Sequence, residues 1–357
     1  MNMYKIEELL KKVYSQNPCH SEELEYLLSI EEEKDIAMLF SFADRVRREF
    51  MGEGILLRGI IEFSNFCRNS CFYCGLNKNN ITLSRYRLSK DQIMDSVRQL
   101  SSYGIKTVVL QSGEDDELDA CWLKDVIAQI RSIFGIAITL SLGERDRHDY
   151  KLWRGAGADR YLLKIETTNS KLYGSLHPGM SFENRLRCLQ DLRNLGYQVG
   201  SGNIIGLKGQ SIKDIAGDIL FFQAGEFDML GIGPFIPHNK TQLGKEKPAD
   251  AGLTLKALAL TRIVTKNAHL PATTALGSLG GDLRPQGLSA GANVLMPNFT
   301  PQPYRKLYEI YPGKRCLEEA AGSCSSCVEI MADSLERFID YSRGDSLKLK
   351  KEAGVNV

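Results

Sequence analysis

Cys67, Cys71 and Cys74 stand in one short stretch, with three and then two residues between them. Thiolates at this spacing can ligate three irons of a 4Fe-4S cubane and leave the fourth iron without a protein ligand. That open iron suits the amino and carboxylate groups of S-adenosylmethionine. An electron passed from the cluster to the sulfonium would break a carbon–sulfur bond, releasing methionine and a 5′-deoxyadenosyl radical. The protein's own task is then to orient the cofactors and exclude water. Tyr73, immediately before the last of the three cysteines, offers an aromatic face beside an adenine. The alternatives are a zinc site and three unrelated thiols. Structural zinc takes four Cys or His ligands, commonly in paired spacing, and none of the five histidines (20, 148, 177, 238 and 269) lies in this stretch.

The chain carries nine cysteines, an odd number that makes a poor disulfide framework and points to metal or redox use. Cys316, Cys324 and Cys327 form a second, looser group, while Cys19, Cys121 and Cys188 stand alone. Cys121 and Cys188 fall in helical stretches and read as inert buried thiols.

The elements that must position the first group follow a regular rhythm. Residues 1–50 read as helices, with apolar residues at helical spacing and Ser21 as a helix cap. Short apolar strands, each with a longer helical pattern behind it, begin at residue 55. The strands expected are Ile55–Ser64, Thr107–Gly113, Ala137–Gly143, Tyr161–Thr167, Val199–Gly206, Met229–Ile236, Leu270–Leu276 and Val294–Pro297. Helices are expected over Lys90–Tyr103, Leu118–Phe134, Ser181–Leu195, Ile212–Ala224 and Leu253–Lys266. Strands alternating with helices predict an α/β fold, a complete (β/α)8 TIM-type barrel. A helical N-terminal extension (1–52) precedes the barrel (53–312), and a C-terminal helical segment (313–357) carries the second cysteine group. Such barrels place their chemistry at the C-terminal strand ends, and the cysteine stretch, Glu114, Glu144 and Glu166 all lie at such ends.

Composition narrows the function classes. Lys plus Arg number 45 against 44 Asp plus Glu, which argues against a broad nucleic-acid footprint. No apolar run approaches the roughly 20 residues that span a bilayer, and the first residues lack a signal-peptide core. A soluble, cytoplasmic protein without nucleic-acid or membrane partners is expected.

A longer set of strings carries a resemblance over about residues 20–330: Ile60-Ile-Glu-Phe-Ser-Asn, Cys74-Gly-Leu, Val109-Leu-Gln-Ser-Gly-Glu-Asp, Thr139-Leu-Ser-Leu-Gly-Glu, Ala158-Asp-Arg-Tyr-Leu-Leu, Ser181-Phe-Glu-Asn-Arg, Gly231-Ile-Gly-Pro-Phe-Ile-Pro-His, Pro271-Ala-Thr-Thr-Ala, Gly291-Ala-Asn-Val and Met296-Pro-Asn. With the cysteine motif, the chain resembles the radical S-adenosylmethionine superfamily, and within it the FeFe-hydrogenase H-cluster maturases of the HydE type. Methylornithine synthase and biotin synthase are similar too, and supply the alternative of a radical enzyme acting on a small amino acid or thiol. A non-catalytic iron–sulfur carrier is the third reading.

The resemblance implies that Cys67, Cys71 and Cys74 hold the cluster. It implies adenosylmethionine contacts at Tyr73, Ser112, Glu114, Glu166, Arg185, Gly202 and Gly206, the glycines allowing close approach of backbone. Arg185 suits a carboxylate through its two-pronged donor geometry. Substrate contacts are expected from Arg58, Gln111, Arg160, Thr273, Thr274, Met296, Tyr308 and Tyr311. The second cysteine group matches an accessory cluster site that family members do not all keep. His238 reads as a satisfied loop histidine. Implied partners are an iron–carbonyl–cyanide or thiol substrate, the tyrosine-cleaving radical maturase, the GTPase scaffold maturase and an electron donor. Three departures from the family pattern touch substrate contacts: Lys164 in place of Arg, Lys208 in place of Pro, and Ser289 where a basic residue is usual.

Overall fold

In a computed structural model, residues 3–315, 317–318 and 321–348 are described. Three helices open the chain: α1 (Met3–Ser15), α2 (Ser21–Leu28) and α3 (Glu33–Met51). β1 (Gly54–Leu57) and β2 (Gly59–Ser64) follow, and an irregular stretch leads to α4 (Lys90–Ser102). Strands and helices then alternate through β3 (Thr107–Ser112), α5 (Ala120–Phe134), β4 (Ala137–Ser141), α6 (Arg147–Ala156), β5 (Arg160–Leu162), α7 (Ser170–Leu176), α8 (Phe182–Asn194), β6 (Gln198–Ile205), α9 (Ile212–Ala224), β7 (Met229–Pro234) and α10 (Ala251–Thr265). The remainder holds α11 (Arg284–Ser289), β8 (Val294–Leu295), α12 (Gln302–Arg305), α13 (Ala321–Asp333) and β9 (Phe338–Asp340).

Local chemistry fixes the helix starts. Ser89 and Gln92 cap α4 reciprocally, and Ser211 and Asp214 do the same for α9. Asp119 caps α5 and Asp250 caps α10, each accepting from a first-turn amide. Helix α5 buries one stripe, Leu123, Val126, Ile127 and Ile130, against strands that are themselves buried on both faces, as parallel strands are, whereas α10 is buried all round from Thr254 to Val264. The opening helices are built into this layer, α3 against α10 and α2 against α9, and the Lys256 ammonium of α10 reaches back to the Ile30 carbonyl at 2.8 Å.

Six parallel strands run in the order β2-β3-β4-β5-β6-β7, and a second sheet has the order β8-β1-β9. The expected run of eight regular strands is therefore not met. Ile55–Ser64 is divided at Arg58 between the two sheets, Tyr161–Thr167 keeps only its first residues, and Val294–Pro297 only two. Leu270–Leu276 is no strand: single bridges at Met229–His269 and Pro271–Val294 cross this region, and Ile60–Asn298 links β2 to the chain beyond β8. Pro271 and Pro297 have no N–H to give a ladder, and Glu166, at φ 65°, takes the chain out of extended geometry after β5.

After α13 the chain turns to the opposite end of the sheet from the cysteine stretch. β9 pairs with β1, and residues 343–346 then cross the N-terminal strand ends. The Arg343 carbonyl accepts from Thr107 at 2.9 Å and from Arg160 at 2.8 Å. Asp345 takes a second Arg160 nitrogen at 2.7 Å, and Arg343 pairs with Asp159 at 3.1 Å. Burial pushes the Asp345 carboxyl up, but Arg160, Arg343 and a Gln198 hydrogen bond outweigh it, and its pKa ends below the usual 3.8. Its contribution to stability is thus present above pH 3.8 and lost as pH falls through the lower folded value. Asp345→Ala, which removes the acid that hydrogen-bonds buried Arg160, should cost about 1–3 kcal/mol in a denaturant titration at pH 7. The difference from wild type should shrink as the pH is taken below 3.8.

Candidate functional site

Residues 65–80 form an irregular loop at the C-terminal end of β2, and one side chain binds four of its carbonyls. Arg85 donates to the carbonyls of Asn65 (2.6 Å), Leu76 (2.8 Å), Asn77 (2.8 Å) and Asn80 (3.4 Å). The Asn65 side chain donates to Ser84 and Leu307 and accepts from the Tyr86 amide. Phe66 lies under the Arg87 guanidinium at 3.8 Å, which in turn makes a two-pronged pair with Asp115 at 2.7 and 2.8 Å. Two glycines allow the close fit: a Cβ on Gly113 would come within 2.2 Å of the Phe66 carbonyl, and one on Gly75 within 2.1 Å of the Glu309 carbonyl.

Cys67, Cys71 and Cys74 are half-buried in this loop and unpaired. Burial pushes the Cys71 thiol well up, and the Cys74 and Cys67 sulfurs add to it. The Cys74 thiol is pushed up to about 12 by burial and then by Cys67. Cys67 thus acts on both other thiols, and Cys74 on Cys71, across a common space. Among the described residues no three His, Cys, Asp or Glu side chains close on a single point as a mononuclear ion requires. A cubane is ligated at separate corners and needs no such convergence, so the donor set fits a cluster better than zinc.

Acidic and basic groups from neighbouring strand ends converge beside the loop. Both Arg68 Nε and Nη2 bind Glu114 Oε1, at 3.0 and 2.8 Å, and the Glu144 amide donates to Glu114 Oε2 at 2.9 Å. The Glu114 carboxylate is thus engaged on both oxygens by the loop and by the end of β4. Gly143 is required there, since at φ 75° its Cβ would fall 2.3 Å from Glu114 Oε2. Ser112 turns its hydroxyl to the Gly113 carbonyl at 2.6 Å. Arg185 is buried, not on a solvated helix face: its Nε donates to Glu144 Oε1 at 2.7 Å and another nitrogen to the Lys164 carbonyl. Asn184 joins the same glutamate at 2.5 Å. Lys164 Nζ lies 3.0 Å from Glu166 Oε2, an ion-pair distance without hydrogen-bond geometry. Gly202 and Gly206 meet protein: a Cβ would fall 2.2 Å from the Gly231 carbonyl and 2.6 Å from Ala249.

The expected substrate residues divide into two groups. Gln111 donates to the Tyr308 hydroxyl at 3.2 Å, and Lys314, buried, sits 5.1 Å from the Tyr308 ring while pairing with Glu62. Glu62 also accepts from Asn298 at 3.0 Å. Burial, followed by Glu62, raises the Tyr311 hydroxyl pKa. Thr274 and Met296 line a small cleft of about 50 Å³ with Glu62, Lys314 and Cys327. Thr273 lies 3.8 Å from the position a Gly233 Cβ would take. Arg58 and Arg160 are not part of this group. Both are buried at the N-terminal strand ends, Arg58 against the Met229 sulfur (2.7 Å) and the Gly344 carbonyl (3.2 Å), Arg160 against the 343–345 crossing.

Of the second cysteine group, Cys316 lies outside the described residues, Cys324 falls in α13, and Cys327 is exposed at an open groove of about 620 Å³. Cys188 is buried as expected, but Cys121 is exposed on α5. His238 is buried and satisfied: its Nδ1 accepts from the Lys240 amide at 3.1 Å, and its Nε2 lies 3.3 Å from Glu309.

The Radical SAM superfamily model matches residues 61–222. The [FeFe] hydrogenase maturase subunit HydE of Thermotoga maritima is 47% identical over 330 residues, covering 92% of this chain and 94% of the relative. The chain belongs to the HydE family of radical SAM hydrogenase maturases. The 3-methylornithine synthase of Methanosarcina acetivorans is more distant, 28% identical over 77% of this chain and 78% of its own. Among solved structures, methylornithine synthase (PylB) superposes with a TM-score of 0.79 at 24% identity, over 97% of this chain and 99% of that one. The hydrogenase maturase HydG follows at 0.78 and 18%, over 96% and 80%. These two show a shared α/β fold. Membership of the radical SAM superfamily implies a 4Fe-4S cluster and adenosylmethionine, and among the described residues no helix is long and apolar enough to cross a membrane.

For a HydE-family protein the unexpected residues are Arg85, Arg68 and Glu144. Only Glu144 left a trace in the sequence, as a Gly-Glu at a strand end like Glu114. Arg85 binds carbonyls, which every residue has, so no pattern marks it. Arg85→Leu would leave four carbonyls to find new donors, each costing about 1 kcal/mol or more where it stays dry. The variant should keep its far-ultraviolet circular dichroism but bind less than roughly half the wild-type iron per chain after anaerobic reconstitution, because the ligand loop alone comes apart.

Proposed function

We propose that the chain uses adenosylmethionine at the Cys67/Cys71/Cys74 loop to modify a cysteine-ligated iron–carbonyl–cyanide precursor during H-cluster assembly. The 47% identity to the Thermotoga HydE along 92% of the chain carries this reading. When bound, the cluster and adenosylmethionine supply a one-electron cleavage of a carbon–sulfur bond and a 5′-deoxyadenosyl radical. The residues have separate tasks. The three cysteines hold the cluster. The Glu114–Arg68–Glu144–Arg185 network at the adjoining strand ends orients the polar end of adenosylmethionine, and Glu166 reaches its ribose. Buried Arg185, held by Glu144, keeps a fixed two-pronged face for a carboxylate.

The substrate would sit against Gln111, Tyr308, Tyr311, Thr273, Thr274 and Met296, at the C-terminal ends of the parallel strands. Lys164 and the Glu62–Lys314 pair add charge at that level. The barrel of residues 53–312 would do this work between the N-terminal extension of 1–52 and the C-terminal segment of 313–357. Cys316, Cys324 and Cys327 would hold an accessory cluster. In the cytoplasm the precursor would come from the tyrosine-cleaving radical maturase, the product would pass to the GTPase scaffold, and an electron donor would reduce the cluster.

Two measurements test the reading. Reconstituted wild type with reductant and adenosylmethionine should yield 5′-deoxyadenosine and methionine, and Cys67→Ala, Cys71→Ala and Cys74→Ala should each yield none. The wild-type gene should restore hydrogenase activity to a strain lacking this maturase, and the three variants should not. Cleavage without restored hydrogenase activity would instead favour a methylornithine-synthase-like enzyme, and an added amino acid would then be rearranged.

A further inference from the structure

His177 follows α7, is 1% exposed, and has both ring nitrogens engaged. Nδ1 lies 2.8 Å from the Tyr173 carbonyl. A carbonyl only accepts, so Nδ1 carries the proton. Burial lowers the imidazole pKa and keeps it neutral, which leaves Nε2 bare. The atom 2.7 Å from Nε2 is the Tyr73 hydroxyl, and Tyr73 must therefore donate to it. The arrangement has one direction: Tyr73 O–H to His177, His177 N–H to Tyr173.

The ring planes are fixed as well. The imidazole stacks on Tyr173 with centroids 4.2 Å apart and 26° between planes. Tyr73 meets it edge-on at 5.4 Å and 83°. One residue earlier on each segment, the Phe72 amide donates to the Leu176 carbonyl at 3.1 Å. The end of α7 therefore holds the cysteine loop by backbone and by side chain at adjacent positions. Tyr173 also faces the charged network, with the Arg185 guanidinium 5.6 Å from its ring and its hydroxyl 3.5 Å from Glu144.

We infer that His177 is a positioning residue for adenosylmethionine: through the Tyr73 hydroxyl it holds the aromatic ring immediately before Cys74 in a single orientation, and it joins that ring to Tyr173 beside Arg185. This rests on the proposed cofactor site. The ring lies between two cluster ligands, where a purine face would meet it, and a tyrosine side chain has two soft torsions that a hydrogen bond at its tip removes. A free ring would still cover the site but would have to be ordered each time the cofactor bound.

The test uses the full chain, reconstituted anaerobically, with radiolabelled adenosylmethionine in equilibrium dialysis. Tyr73→Phe and His177→Leu should each weaken binding about 10-fold, the effect of one lost hydrogen bond. The double variant should be no weaker than either single one, because both remove the same contact. His177→Gln, whose amide can accept from Tyr73 and donate to Tyr173, should return to within about twofold of wild type. In the cleavage assay KM should rise with kcat held within about twofold, and iron per chain should match wild type. Tyr73→Phe removes one oxygen and answers the question even if His177→Leu does not fold. Unchanged affinity in Tyr73→Phe, or additive losses in the double variant, overturns the inference. If wild type itself binds no adenosylmethionine, the proposed cofactor site fails first.

Discussion

Three sulfur atoms that share one space, away from bulk water, cannot all be ionised unless positive charge stands among them. Burial raises each of these thiols, Cys67 raises both Cys71 and Cys74 further, and Cys74 adds to Cys71. Arg85 opposes this weakly at Cys67 and Cys74, and Arg185 at Cys71, but both guanidiniums are already committed, one to carbonyls and one to Glu144. Thiolates in this loop would need a cationic partner, which the proposed cluster would supply. The stretch is neither helix nor strand, so its backbone groups need side-chain partners. Arg85, with Asn77 and Asn80 of the loop itself, supplies them. The loop's rigidity comes from side chains that play no part in ligation.

The two ends of the sheet divide the charged residues by task. At the C-terminal ends, Glu62, Glu114, Glu144 and Glu166 each meet a basic partner, so the carboxylates keep defined positions while the whole rim stays close to neutral. At the N-terminal ends, Arg58, Arg160 and His269 are buried against the chain that follows β9, and they bind mainly its carbonyls and Asp345. Buried cations there fasten one segment across the strand ends, so this end is covered by chain while the ionic rim lies at the other, the end at which parallel α/β folds place their functional loops.

The cysteine spacing and the succession from β2 to β7 were legible in the sequence because each is a local pattern, and strand-end glutamates mark the rim. The cap expected at Ser21 was not met: Ser21 is itself the first residue of α2, and His20 before it makes no side-chain cap. What escaped was anything set by partners far along the chain. Arg58 and Arg160 have the type of a substrate anion site, but their depth along the strands decides their role, and alternation with period two is silent about depth. The seventh strand failed because a short apolar run reads alike whether it pairs along its length or at single points, and Pro271 limits it to single points. Arg85, Arg68 and His177 act across 5 to 46 and 104 residues of sequence through contacts that no motif records.

Lys164 makes the cost of a small departure concrete. Its carbonyl receives Arg185, and its ammonium stands at Glu166. The backbone contact is indifferent to the side chain, so exchanging Arg for Lys leaves the Arg185 seat intact. The side-chain contact is not indifferent. A guanidinium could give Glu166 a fixed two-point pair, whereas an ammonium is a compact point charge on a flexible stem, and here it meets Glu166 Oε2 without forming a directed hydrogen bond. Glu166 sits at positive φ, a conformation that its surroundings must impose, and two ladder contacts do so: its amide donates to the Gly202 carbonyl and its carbonyl accepts from Ile204, both at 3.1 Å. The carboxylate is therefore placed by its backbone rather than by its partner cation. Lysine at 164 therefore leaves the position of Glu166 to the backbone.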